Sequence, residues 1–173
     1  MDPIFHMIPG APNPVAPFSH ATEADGWVFV TGQMPFKGTS IDEPYPEGIE
    51  AQTHQVMKNL ETVLRGCGLS FANVLQTRVY LTRFEQDYPA MNAAYASYFP
   101  EGKRPARTCI GVSGLARGAL DRAGAASRAR SPRAVPRTPP SAHRRPVRAG
   151  GRSRSGAGRR CPRAGAGGAR RAT

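Results

Sequence analysis

The amino-acid composition changes abruptly at Asp121, and this change predicts a folded core confined to the residues before it. Residues 121–173 contain no Leu, Ile, Met, Phe, Tyr or Trp, whereas Arg, Ala, Gly and Pro make up 41 of these 53 residues. Such a segment buries too little apolar surface to offset the conformational entropy lost on folding. We therefore predict an irregular N-terminal segment over residues 1–15, a folded domain over 16–120 and a disordered tail over 121–173.

The net charge of +12 also belongs to the tail. Residues 1–120 carry nine Lys and Arg against eleven Asp and Glu, whereas residues 121–173 carry fifteen Arg, no Lys and one Asp. An arginine-rich tail of this kind favours a nucleic-acid partner, because guanidinium groups bind phosphates. The composition of the folded domain gives no reason to expect such a partner.

The tail has a second interpretation, which is translation in a shifted reading frame. Arg, Ala, Gly and Pro are the residues whose codons can be built from G and C alone, and a codon bias explains fifteen Arg without a single Lys. Residues 121–125 can be encoded so that the removal of one base gives Ile-Glu-Leu-Glu-Leu. Because this alternating sequence is typical of a strand, we favour the frameshift, with nucleic-acid binding by the tail as the alternative.

Cysteine usage and hydropathy indicate the compartment. Cys67, Cys109 and Cys161 lie far apart without a CxxC pair, which argues against a disulfide framework or a metal site. The N-terminus has no signal-peptide pattern, and no segment approaches the roughly 20 apolar residues of a membrane span. We expect a cytoplasmic protein with no membrane partner.

Hydrophobic periodicity predicts an α+β domain with two helices packed on one face of a sheet. The predicted elements are strands at residues 27–31, 74–82 and 107–112 and helices at 47–66 and 84–99. One apolar side of the second helix consists of Phe84, Tyr88, Met91 and Tyr95. A final strand is expected after Leu115, because the sheet otherwise ends in an exposed edge. The composition of the tail does not suit a strand, so this strand is predicted to be missing.

Three residues stand out for their chemistry. Arg107 begins an apolar strand, where a guanidinium can grip a carboxylate with two parallel hydrogen bonds, although an ordinary surface or interface ion pair is more common. Cys109 follows on the same strand face, but the sequence places no base beside it, which favours a buried apolar role over a nucleophile. Asn92 fits ligand orientation and a structural hydrogen bond equally well.

The order of several motifs resembles that of the RidA/YjgF family over about residues 16–118. These motifs include Ala16-Pro17-Phe18-Ser19-His20-Ala21, Thr31-Gly32-Gln33-Met34-Pro35, Met91-Asn92-Ala93-Ala94-Tyr95 and Pro105-Ala106-Arg107-Thr108-Cys109-Ile110. The resemblance implies a chorismate-mutase-like α+β fold and a homotrimer with clefts between subunits. It also implies hydrolysis of 2-imino or enamino acids to 2-oxo acids and ammonia, with neither a metal nor an organic cofactor.

The same resemblance implies the site residues. Arg107 is expected to hold the substrate carboxylate as the catalytic arginine. The other residues expected to bind substrate are Phe18, Thr31, Gly32, Asn92 and Cys109.

Two departures from the family pattern bear on activity. Phe18 stands where members with deaminase activity often have Tyr, and Arg122 stands at about the position of a family Glu thought to position or activate the attacking water. A guanidinium cannot accept a proton, so we expect impaired hydrolysis. The alternatives are a non-catalytic ligand-binding or regulatory member of the family, and nucleic-acid binding or ribonuclease activity through the tail.

Overall fold

The amphipathic and alternating segments form a mixed sheet and two helices in the computed structural model of the protein, which describes residues 2–129. Within that part of the chain the sheet has six strands in the order β1-β2-β3-β6-β4-β5. Only β4 and β5 pair in parallel, and the other neighbours are antiparallel. The elements are β1 Ile4–His6, β2 Ala21–Ala24, β3 Trp27–Gln33, α1 Ile49–Gly66, β4 Val74–Leu81, α2 Phe84–Ala96, β5 Ala106–Gly111 and β6 Asp121–Arg128.

The α+β class is confirmed, and the five elements predicted from periodicity all occur near their expected positions. The apolar stripe of α1 is the centre of the core, because Val56, Leu60, Val63 and Leu64 are completely buried. This stripe packs against β3 and β6, and α2 packs against α1 and β4. Neither helix is long and apolar enough to cross a membrane within residues 2–129.

The last strand, expected to be missing, is present as β6 and lies in the middle of the sheet. Its backbone pairs with β3 on one side and with β4 on the other. A ladder on each side stabilises the extended backbone of these residues although their strand propensity is low, because that propensity depends strongly on context. The prediction of disorder from residue 121 is therefore wrong for Asp121–Arg128, while residues 130–173 of the predicted tail lie outside the described residues.

The N-terminal segment also contains a strand that composition did not indicate. Residues Ile4–His6 form β1, which pairs with β2 and places Phe5 opposite Thr22. The side chains of Ile4 and Phe5 are both exposed. The sequence of β1 therefore lacks the alternation of apolar and polar residues that predicts a half-buried strand. The prediction that residues 1–15 are irregular is thus wrong for this strand.

A close approach of two backbones shapes the centre of the sheet. A Cβ atom on Gly124 would lie 3.1 Å from the Val30 carbonyl oxygen and 3.2 Å from the Gly32 Cα. The β3–β6 register shifts at this level, between Val30 and Gln33. The missing side chain of Gly124 lets β6 lie against β3 here, and Arg122 comes to lie beside Gly32.

Candidate functional site

Arg107 lies on β5 at the edge of a hollow formed with α2. The hollow has a volume of about 470 Å³. It is lined by Asn92, Ala93, Tyr95, Ala96, Arg104, Pro105 and Arg107. Because two of these residues are arginines and none is acidic, the hollow has the charge of a site for a small anion.

Two tyrosines of α2 orient the Arg107 guanidinium. Its central carbon lies 4.9 Å from the ring centroid of Tyr95 and 5.9 Å from that of Tyr88, distances typical of cation–π contacts. One terminal nitrogen donates a hydrogen bond to the Tyr88 hydroxyl at 3.4 Å, and the Tyr95 hydroxyl is itself held by Thr77 at 2.8 Å. No carboxylate of residues 2–129 forms an ion pair with Arg107. Its remaining N–H groups can therefore bind a ligand carboxylate.

Asn92 shares the hollow with Arg107. Its Oδ1 atom is buried and lacks a hydrogen-bond partner among the described residues. A buried acceptor without a partner costs free energy. The structure thus brings together two of the residues expected to bind substrate, although their role in binding stays a prediction.

Cys109 contacts the core and does not line the hollow of Arg107. Burial raises the pKa of the Cys109 thiol, and the nearby Arg107 guanidinium only partly offsets this rise. His20 cannot act as a base for Cys109, because its Nδ1 accepts a hydrogen bond from the Ile8 amide and its Nε2 donates one to the Pro12 carbonyl. The thiol thus stays protonated at neutral pH, which agrees with the apolar role expected for it.

Thr31 and Gly32 line a different hollow, a groove of about 320 Å³ across β3, β6 and β4 on the face of the sheet. The Thr31 hydroxyl donates a hydrogen bond to the Ser19 carbonyl at 2.7 Å, which ties β3 to the preceding loop. Phe18 is exposed and lines a third, much smaller hollow of about 20 Å³ that also includes Gly32. Within one chain, five of the six residues predicted for one site are therefore divided among three hollows, and Cys109 lines none of them.

Arg122 lies in the groove, where its Nε donates a hydrogen bond to the Gly32 carbonyl at 3.3 Å. Its neighbour Asp121 lies on the inner face of β6 and is 1% exposed, so this carboxylate cannot act in the groove. Neither the groove nor the hollow of Arg107 is lined by an acidic residue. No group of three or more His, Cys, Asp or Glu side chains able to hold a metal occurs in residues 2–129.

The pair of tyrosines around Arg107 was missed by sequence reasoning. Tyr88 and Tyr95 recur on the apolar side of α2, a spacing that predicts burial but says nothing about a contact with β5. Their hydroxyl groups were the available signal, because a buried tyrosine usually finds a polar partner.

Comparison with known proteins places this geometry in a family. The family described as Endoribonuclease L-PSP matches residues 9–120, and the match ends immediately before β6. A RutC family protein of Synechocystis is 36% identical over 110 residues, which cover 64% of this chain and 84% of the relative. The 3-aminoacrylate deaminase RutC of Acinetobacter baylyi is 40% identical over 103 residues, or 60% of this chain and 79% of that protein.

Solved structures agree with the sequence relatives. A protein of the conserved Rid family from Yersinia pestis superposes with a TM-score of 0.68 at 28% identity, covering 74% of this chain and 100% of that one. RidA from an Antarctic Psychrobacter gives a TM-score of 0.65 at 25% identity over 72% of this chain and 99% of that one. Since the family match spans more than half of the chain and these relatives are covered over most of their length, the chain belongs to the RidA/YjgF family.

Proposed function

We propose that this chain binds 2-imino or enamino acids through Arg107 and hydrolyses them to 2-oxo acids and ammonia, at a rate limited by the absence of an acid–base group. Water adds to the C=N carbon, the C–N bond breaks, and ammonia leaves with the protons that the nitrogen gains. An enamine enters the same reaction after its carbon takes up a proton to give the imine. The related 3-aminoacrylate deaminase, whose named substrate is an enamine bearing a carboxylate, supports this class of substrate.

The observation that carries the proposal is the state of Arg107. Its guanidinium is held by Tyr88 and Tyr95 and has no acidic partner within residues 2–129. A bidentate pair with a substrate carboxylate supplies the missing counter-charge and fixes the adjacent C=N group. Asn92 lines the same hollow and adds a neutral polar side chain to it.

The limit on the rate follows from Arg122. Proton transfer to and from the attacking water by a side chain contributes roughly 10²- to 10⁴-fold in enzymes that use it. A cation at position 122 cannot accept that proton, and no acidic residue lines either hollow. Neither hollow of the single chain thus supplies a side chain that accepts a proton from the attacking water.

A homotrimer and a cytoplasmic location belong to the same proposal. Apolar side chains stand exposed on the sheet, with Phe29 52% exposed and Leu75 49% exposed, which supports contact with further copies of the chain. Clefts between subunits offer a way for Thr31 and Gly32 of one copy to meet Arg107 and Asn92 of another. Cys67 and Cys109 are unpaired among the described residues, as in proteins of a reducing compartment.

The experiment follows the loss of a 2-imino acid generated in situ, with the full chain and three variants. R107A is expected to reduce the acceleration to the buffer rate, because the carboxylate contact is lost, while R107K retains part of it. R122E is expected to raise the rate at least tenfold, since it introduces a carboxylate into the groove. R65A is the matched control, because Arg65 lies on α1 in an exposed ion pair with Glu61.

Two results would overturn the proposal. One is an unchanged rate in R107A when its circular dichroism shows the fold to be intact. The other is a chain that neither accelerates hydrolysis nor gains activity in R122E.

A non-catalytic role in ligand binding is the second candidate, and the same observations favour it over a second enzyme activity. Arg107 and its hollow are intact while an acidic lining residue is absent. If small 2-oxo acids raise the melting temperature of the chain in an Arg107-dependent way and neither it nor R122E turns over, the chain is a binding protein.

We also propose that β6 is the product of a shifted reading frame. The inward positions of β6 carry Asp121, Ala123 and Ala125, which are 1%, 2% and 8% exposed. The alternative reading Ile-Glu-Leu-Glu-Leu places apolar residues at these three positions and Glu at positions 122 and 124. Sequencing the gene across the codons for residues 120 and 121 tests this: a one-base insertion or deletion supports it, and a confirmed frame makes Arg122 genuine.

A further inference from the structure

A second arginine lines the hollow of Arg107 and has no part in the proposed reaction. Arg104 belongs to the loop before β5, is exposed, and lines the same 470 Å³ space as Arg107. No acidic side chain lines this space, and no carboxylate of residues 2–129 forms an ion pair with Arg104. A ligand with one carboxylate neutralises Arg107 and leaves the second positive charge in the hollow without a counter-charge.

The loop between α2 and β5 gives Arg104 a defined backbone. The Lys103 amide donates a hydrogen bond to the Pro100 carbonyl at 3.1 Å, and Gly102 has a φ of +73°. Glycine readily adopts a positive φ at the third residue of such a turn. Arg104 itself precedes Pro105, and a proline restricts the residue before it to extended conformations. The side chain of Arg104 therefore starts from a fixed place beside β5.

The separation of the two arginines suits one small molecule with two carboxylates. Arg104 and Arg107 are three residues apart, so their Cα atoms lie at most about 11 Å from each other. The Arg107 guanidinium is held by Tyr88 and Tyr95, whereas the exposed Arg104 side chain can change its rotamer to follow the length of a ligand. A short carbon chain between two carboxylates is enough for one ligand to reach both guanidinium groups.

The wall that α2 contributes leaves room for the side chain of a substrate. Ala93 and Ala96 line the hollow, and neither extends beyond its Cβ atom. They are three residues apart and therefore lie on the same side of the helix. The volume of about 470 Å³ lies within the roughly 300–1,000 Å³ of small-molecule pockets, which is more than a C=N group and one carboxylate occupy.

We propose that Arg104 selects substrates that carry a second carboxylate, which makes 2-imino and enamino dicarboxylic acids the preferred class. This inference rests on the proposed function, because it assigns the first carboxylate to Arg107. Arg104 binds the carboxylate at the far end of the substrate side chain, and one ligand then neutralises both arginines. Since this contact lies away from the C=N group, Arg104 acts on binding and selection and not on the chemical step.

Calorimetric titration of the full chain with stable 2-oxo acids tests the selection without turnover. 2-Oxoglutarate and 2-oxopentanoate have carbon chains of the same length, and only 2-oxoglutarate has a second carboxylate. The unaltered chain is expected to bind 2-oxoglutarate roughly threefold or more tighter than 2-oxopentanoate, as for an exposed ion pair. This preference is expected to decline as the ionic strength rises, because the second ion pair is open to solvent.

Variants of Arg104 are compared with a variant of its neighbour. R104A and R104Q are expected to abolish the preference, and R104K to keep part of it, because lysine retains the charge without the planar fork. K103A is the matched control and is expected to keep the whole preference, since Lys103 is an adjacent exposed cation that does not line the hollow. Arginines elsewhere in the chain are the same in all these variants, so the comparison isolates Arg104.

Equal binding of both acids by the unaltered chain, or a preference that persists in R104A, would overturn the role of Arg104 and leave that of Arg107 intact. An equal loss of both acids in R104A would also overturn it, because that result indicates a general change in the hollow. The proposed function fails on a different variant, namely if R107A binds 2-oxopentanoate as the unaltered chain does. A chain that binds neither acid contradicts both inferences.

Discussion

The carboxyl group of Asp121 is buried between β6 and α1. It is 1% exposed, and its Oδ1 atom has no hydrogen-bond partner among the described residues. Burial raises the pKa of Asp121 to about 6, although the Thr53 hydroxyl and the Arg122 backbone amide favour the charged form. The folded chain therefore takes up a proton at this residue in the pH range in which the unfolded chain has already lost it.

The raised pKa of Asp121 makes the free energy of unfolding fall as the pH rises. Because the folded pKa of Asp121, about 6, exceeds the ordinary value of 3.8, its contribution to stability is most favourable below about pH 4 and declines as the pH rises to about 6. The difference corresponds to roughly 3 kcal/mol at neutral pH. We predict that D121V gains about this much free energy of unfolding at pH 8 relative to the unaltered chain.

Urea unfolding of both chains from pH 4 to pH 8 is the measurement. The advantage of D121V should be smallest at pH 4 and grow up to about pH 6, and D121N should show the same trend because it too lacks the titrating group. D25N, a change in an exposed turn residue, serves as the control. Parallel stability curves for the unaltered chain and D121N would contradict the assignment.

At the scale of elements, β6 connects two halves of the sheet. Without it, β1-β2-β3 and β4-β5 share no hydrogen-bonded neighbour. We predict that a chain ending at residue 129 unfolds cooperatively, whereas a chain ending at residue 120 shows no cooperative transition and precipitates, because β3 and β4 become exposed edges. Thermal unfolding followed by circular dichroism, together with the soluble yield, distinguishes the two, and equal behaviour would show that β6 adds little to the sheet.

The sequence predicted the elements whose burial leaves a periodic trace. The stripe of α1 and the alternation of β4 are visible because large apolar residues recur at the spacing of a helix or a strand. The strand β6 leaves no such trace, since its inward residues are Asp121, Ala123, Ala125 and Ser127. Its backbone is extended because two ladders hold it, and pairing over such distances along the chain cannot be read from local composition.

The resemblance to the family, and not periodicity, named the candidate site residues, and their roles stay predictions. Arg107 and Asn92 fall in one hollow, which the resemblance of their motifs had placed together. The separation of Thr31 and Gly32 from that hollow depends on the order of strands in the sheet. The orientation of Arg107 by Tyr88 depends on how α2 packs over β5, a tertiary contact without a local signature.

At the scale of the whole molecule, the charge is divided along the chain. Residues 130–173 carry thirteen arginines and no acidic residue, whereas residues 1–129 are close to neutral. If these arginines bind nucleic acid, the binding is dominated by phosphate contacts and depends steeply on salt. This is the ribonuclease or nucleic-acid alternative to imine chemistry.

We predict that any affinity of the full chain for single-stranded RNA falls by a factor of roughly 10³ or more between 50 and 200 mM salt, as for about six or more phosphate contacts. A chain ending at residue 129 should show no such binding. Fluorescence anisotropy with a labelled RNA measures both. Binding or cleavage of RNA that persists in the shorter chain would locate it in the folded domain and exclude the tail as its cause.

The central place of β6 has a consequence for the order of events during synthesis. Trp27 pairs with Arg128, so a strand made early waits for about a hundred residues until its neighbour is translated. Pairing between distant parts of a chain is slow, and strand edges that remain unpaired during this time promote aggregation. In the nascent chain, β3 and β4 therefore remain unpaired edges until β6 is made. A product released before β6 is translated would expose both edges and aggregate through them.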